Sequence, residues 1–82
     1  MPAPIRVLLF ARYAELLGAE CVELPAPASS SVRELLEQVR ALPGGDALPP
    51  VMLCAVNLRQ ATLSDPVAPG DEVALLPPLA GG

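Results

Sequence analysis

The 82-residue chain contains no histidine, no lysine and no tryptophan. Without histidine it lacks the commonest general base near neutral pH and the commonest neutral metal ligand. Without lysine it has no amine for an internal Schiff base and no ε-amine that could accept its own activated terminus. Aromatic side chains are confined to Phe10 and Tyr13, 2% of the residues, so any core must be aliphatic. All five bases are arginines, Arg6, Arg12, Arg33, Arg40 and Arg59, scattered along the chain. They form no basic stripe for a nucleic acid backbone. The net charge of −4 suits a basic partner surface instead. The two cysteines, Cys21 and Cys54, make neither a CxxC nor a zinc spacing. Each lies in a strand-like run, where a free cysteine acts as a small hydrophobe. Both are read as reduced structural thiols in a cytoplasmic protein, with no metal site. The apolar run from Val7 to Ala11 is too short for a signal peptide and is flanked by Arg6 and Arg12. Nothing approaches the length of a membrane span.

What remains is short and apolar. A chain of 82 residues allows one domain and buries only about 60–65% of the surface it exposes when unfolded. Yet 52% of its residues are hydrophobic before 6 Gly and 11 Pro are counted. An average domain reaches about 45–50% apolar with glycine included. A small core cannot hide this much apolar material, so part of it is expected at an interface.

Residues 5–10 read as a first strand, with Ile5, Val7 and Leu9 on one face and Arg6, Leu8 and Phe10 on the other. Residues 11–17 suit a two-turn helix stopped by Gly18. Residues 20–24 alternate as a second strand with Val22 and Leu24 inward. The connection between these strands is at the short limit for a parallel crossover, which favours an antiparallel pair. Residues 31–42 are the clearest element. Ser31 and Glu34 form a capping-box pattern, and Val32, Leu35, Leu36, Val39 and Leu42 make one apolar helical stripe. Pro43-Gly44-Gly45 ends the helix, and residues 47–50 read as a loop. Residues 51–56 are a continuous apolar run that fits a strand buried on both faces. Residues 57–60 read as a turn with Asn57 able to be left-handed, and a short edge strand is placed at 61–63. Pro69-Gly70-Asp71 is a turn with Gly70 at positive φ, and residues 72–76 are the last strand. The order predicts an α+β roll: a small mixed sheet with one long helix on one face and a short helix after the first strand. Residues 1–76 are read as the domain and 77–82 as a flexible tail.

The tail carries the most specific signal. Pro77-Pro78-Leu79-Ala80-Gly81-Gly82 leaves directly from the last strand, with no charge after Glu72. Two prolines fix the exit direction. Two glycines then remove every side chain from the end, so that it can pass through a channel too narrow for a Cβ. Gly tails are also common as frayed termini, but a disordered tail is usually polar, and this one is not. The group it presents is the α-carboxylate of Gly82. Adenylation of that carboxylate by ATP, followed by displacement of AMP by a sulfur nucleophile, would give a thiocarboxylate. The chain has no nucleotide-binding motif of its own, so no cofactor is expected on it, and a separate enzyme would use the ATP.

Gly70-Asp71-Glu72-Val73-Ala74-Leu75-Leu76-Pro77-Pro78, ending in Gly81-Gly82, resembles the C-terminus of ubiquitin-like sulfur carriers. It is most similar to the family of small molybdopterin synthase subunits (MoaD). Phe10-Ala11-Arg12, Glu15-Leu16-Leu17-Gly18, the helix at 31–42 and Ala55-Val56-Asn57 agree with that family. The resemblance implies a β-grasp fold. It also implies that Gly82 is adenylated by an E1-like, MoeB-like adenylyltransferase and receives sulfur from a donor such as a cysteine desulfurase. The tail would then enter a MoaE-like large subunit and pass sulfur to the cyclic pterin precursor. The assembly implied is a heterotetramer of two small and two large subunits. Ala80 stands where many relatives carry Ser, which keeps that slot small.

The surplus apolar surface is expected on the sheet face opposite the helix, including Phe10 and Leu75 or Leu76, and continuing into Pro77, Pro78, Leu79, Ala80 and Gly81. Three other readings remain open on the sequence: a sulfur carrier for thiazole, tRNA thiolation or cysteine synthesis, a ubiquitin-like protein modifier, and an interaction domain with an inert tail.

Overall fold

The computed structural model describes residues 3–26, 31–50 and 52–77. Its elements are β1 (Ile5–Leu9), α1 (Arg12–Leu17), β2 (Cys21–Leu24), α2 (Val32–Arg40), a single 3-10 turn (Gly45–Ala47), β3 (Leu53–Val56), β4 (Arg59–Ala61) and β5 (Glu72–Leu76). The five strands form one sheet in the order β2-β1-β5-β3-β4. β1 and β5 are parallel at its centre, and every other pairing is antiparallel, including β1 with β2. This is the mixed sheet that the element order predicts, in the β-grasp arrangement that the resemblance implies.

The sheet is covered on one side. Ile5, Val7 and Leu9 of β1 and Val73 and Leu75 of β5 are buried against Val32, Leu35, Leu36 and Val39 of α2. Leu24, Leu48, Val67, Cys54 and Tyr13 complete the core. It is aliphatic except for one ring, as the composition requires. Each such leucine contributes roughly 1.5–3 kcal/mol by leaving water.

Helix α2 follows its sequence signals at the start. The Ser31 hydroxyl accepts from the Glu34 N–H at 3.4 Å and lies 3.4 Å from the Glu34 carboxylate. The two preceding amides find other partners: Val32 N–H donates to Asp65 O at 2.9 Å and Arg33 N–H to Leu63 O at 3.0 Å. The loop before β5 therefore closes the helix N-terminus. The helix ends at Arg40 rather than Leu42, with Ala41 as its cap. The Leu42 N–H bonds back to Val39 O at 3.1 Å, three residues away, so the last turn tightens ahead of Pro43.

The two glycines after Pro43 do more than stop the helix. Gly44 is at φ 86°, and a Cβ there would collide with the Leu16 carbonyl; one at Gly45 would collide with that of Val39. They let the 3-10 turn pack between the ends of α1 and α2, where a plain loop was expected.

Two expectations about strands fail. The 51–56 run is not buried on both faces: Cys54 is buried, Ala55 and Val56 are half-buried and Leu53 is 37% exposed. Val51 lies outside the described residues. The strand lies inside the sheet, but the helices cover only one of its sides. The edge strand lies at Arg59–Ala61 rather than 61–63, because the turn is only Asn57-Leu58. Both turn residues have positive φ, 50° and 70°, the backbone of a two-residue type I′ hairpin.

Candidate functional site

β5 is held on both sides, by β1 through Leu9–Leu75 and by β3 through Leu76–Leu53. Directly paired residues share a face. Val73 and Leu75 point to the helices, whereas Ala74 and Leu76 point outward with Leu8, Ala55 and Leu53. This corrects one expected docking residue. Leu75 is fully buried in the core, because strict alternation along β5 puts it beneath the helices. Leu76 and Pro77 are half-buried at the point where the tail departs. Pro78, Leu79, Ala80, Gly81 and Gly82 lie outside the described residues.

The outer face has two unlike ends. At the tail end stand Phe10, 44% exposed, and Leu53, with half-buried Leu8 and Leu76. A groove of ≈ 560 Å³ opens there, lined by Leu8, Phe10, Ala11, Ala14, Glu15 and Glu20 among others. At the other end Arg6 pairs with Glu72 at 3.3 Å, and Glu23 stands opposite Arg6 in the β1–β2 register. Leu53, exposed beside Leu76 on this face, is not among the residues the sequence reading placed there. Its signal is the alternation within 51–56, which separates Leu53 and Ala55 from Met52 and Cys54 once one face is known to be bare.

The cysteines part company. Cys54 is buried, and burial pushes its thiol pKa up, with Arg40 pulling the other way. It is the small core hydrophobe expected. Cys21 is exposed on the edge strand β2, opposite Leu8, and is not a core thiol. Tyr13 is also pushed up, chiefly by burial and further by Cys54, with Arg40 opposing. Its hydroxyl is buried without a hydrogen-bond partner among the described residues. The Arg40 guanidinium donates to the Leu48 and Pro49 carbonyls at 3.1 and 2.8 Å.

Among the described residues no group of three or more His, Cys, Asp or Glu is placed to hold a metal, and no helix is long and apolar enough to cross a membrane. The described surface offers an apolar end at the point where β5 finishes.

Three comparisons locate this arrangement among known proteins. The ThiS family model matches residues 7–82. A molybdopterin synthase sulfur carrier subunit from Arabidopsis thaliana is 35% identical over 79 residues, covering 95% of this chain and 82% of that protein. The small archaeal modifier protein 1 of Haloferax volcanii superposes with a TM-score of 0.82 at 27% identity, covering 94% of this chain and 99% of that one. A chain from the protein–protein complex of subunits 1 and 2 of molybdopterin-converting factor from Helicobacter pylori 26695 gives a TM-score of 0.69 at 25% identity, covering 96% and 99%.

Proposed function

The chain belongs to the ThiS family, and from that premise we propose that it is the sulfur-carrier subunit of a molybdopterin synthase. The observation that carries the reading is the position of β5. A strand locked between β1 and β3 ends at Leu76, at the apolar end of a sheet face that no described element covers, and the tail follows it in sequence. A large subunit that covers Phe10, Leu53 and Leu76 would receive that tail in a defined register. The relative found in a complex of two subunits supports a partner of this kind.

The reactive group is the Gly82 carboxylate. One of its oxygens attacks the α-phosphorus of ATP on an E1-like enzyme, and pyrophosphate leaves. The persulfide of a donor such as a cysteine desulfurase then displaces AMP from the acyl carbon to give an acyl disulfide, and a thiol attacks the donor-side sulfur of that S–S bond, forming a new disulfide with it and releasing the thiocarboxylate. Inside the large subunit that sulfur passes to the pterin precursor. Pro77 and Pro78 stiffen the approach, and Leu79 and Ala80 keep it apolar. Gly81 and Gly82 leave the end free of side chains.

Mass spectrometry of the intact protein from its native host tests this. The expected result is a fraction with one oxygen replaced by sulfur at Gly82, and deletion of Gly82 abolishes sulfur transfer without loss of fold. Adducts on lysines of other proteins, with no thiocarboxylate, would show a modifier instead.

A further inference from the structure

Ala11 is at φ 52° and ψ −125°. These are the angles of the first central position of a type II′ turn, which glycine normally fills. The turn is closed, with Tyr13 N–H donating to the Phe10 carbonyl at 3.1 Å. Both flanks are clamped. Upstream, Leu9 is buried, pairs with Leu75, and donates its N–H to Glu20 O at 2.8 Å. Downstream, Tyr13 is buried, and Ala14 N–H returns to the Ala11 carbonyl at 3.1 Å. Between the clamps Phe10 remains 44% exposed, and the Phe10-Ala11 pair lines the groove at the tail end, with Glu15 and Glu20 at its polar side.

An L-residue is strained in this conformation, and glycine would adopt it freely. We propose that Ala11 is a positioning residue for docking: its restricted backbone holds the Phe10 ring on the outer face, oriented for an apolar pocket of the tail-accepting subunit. Glycine would relieve the strain but free the corner, and the ordering would then fall on the binding step. The inference rests on the docking role proposed above.

The strained hairpin supplies an internal control. Leu58 has φ 70° and is 92% exposed, at the end of the sheet remote from the tail. Glycine there relieves backbone strain where no docking is expected.

The test is calorimetric titration of the large synthase subunit with the full-length chain, alongside thermal unfolding. For Ala11→Gly the melting temperature is unchanged or higher, and affinity falls about two- to fivefold. Phe10→Ala weakens binding about tenfold or more. In the Phe10→Ala background, Ala11→Gly has no further effect, because there is no ring left to hold. Leu58→Gly raises the melting temperature and leaves affinity unchanged. If Phe10→Ala weakens binding while Ala11→Gly does not, the role of Ala11 is wrong and the docking role stands. A further loss in the double variant, or an equal loss from Leu58→Gly, would also overturn the role of Ala11 by showing general loosening. If Phe10→Ala has no effect on binding, docking through this end is itself wrong.

Discussion

The two ends of the outer sheet face are built on opposite principles. At the Glu72 end, polar groups answer one another. Asn57 Nδ2 donates to Asp71 Oδ1 at 3.0 Å, Asn57 Oδ1 accepts from Glu72 N–H at 3.0 Å, and Asn57 N–H donates to Glu72 O at 2.8 Å. Asp71 Oδ2 also accepts from Ala68 N–H at 2.8 Å, which braces the turn around Gly70, at φ 87° as expected. At the tail end Phe10, Leu53 and Leu76 have no such closure among the described residues. The braced end holds β5 in register, and in the proposed function the bare end is what the large subunit covers. A lone exposed leucine such as Leu58 needs no partner to explain it, whereas a contiguous apolar group beside a tail does.

The sharpest way to break this contrast is to exchange the effects of mutations at the two ends. Leu53→Asp is expected to weaken binding of the large subunit by at least about 30-fold, the range of a buried interface anchor, while thermal unfolding shifts little. Titration of the large subunit with each variant measures it. Asn57→Ala should do the reverse. It removes two side-chain hydrogen bonds and puts alanine at φ 50°, so stability falls by about 1–3 kcal/mol. Affinity should be unchanged, and denaturant titration gives the stability change directly.

A smaller effect concerns pH. Burial raises the pKa of both Cys54 and Tyr13, so the folded chain holds these protons more tightly than the unfolded chain does. Their contribution is complete below the ordinary thiol value of about 8.5 and is lost as pH rises above it. Melting temperatures measured across the alkaline range should fall. Cys54→Val should flatten the first part of that fall and Tyr13→Phe the later part.

Much of this molecule is legible in its sequence because the signals are local. The Ser31 cap and the stripe from Val32 to Val39 depend on helical spacing alone, and Gly18 and Gly70 sit at the left-handed positions expected of them. Alternation in β1 separates Ile5, Val7 and Leu9 from Arg6 and Leu8 without knowledge of the partners. What escapes the sequence depends on neighbours far along the chain. Whether residues 51–56 are covered on one face or two depends on where the helices lie. The collision that forbids a side chain at Gly44 comes from Leu16. The placing of Leu75 inside and Leu76 outside follows from alternation only once the buried parity of β5 is set by its pairing with β1. The strain at Ala11 leaves no trace in composition, because alanine is an ordinary residue in an unusual conformation.

Docking through the tail end can be read residue by residue in an NMR titration of the isotopically labelled chain with the large subunit of molybdopterin synthase. Signals of Phe10, Leu53, Leu76 and the residues after Pro77 are expected to shift or broaden first, while Asn57, Leu58 and Glu72 stay in place. Perturbation centred on Asn57, Leu58 and Glu72, with Phe10 and Leu53 unmoved, would contradict it.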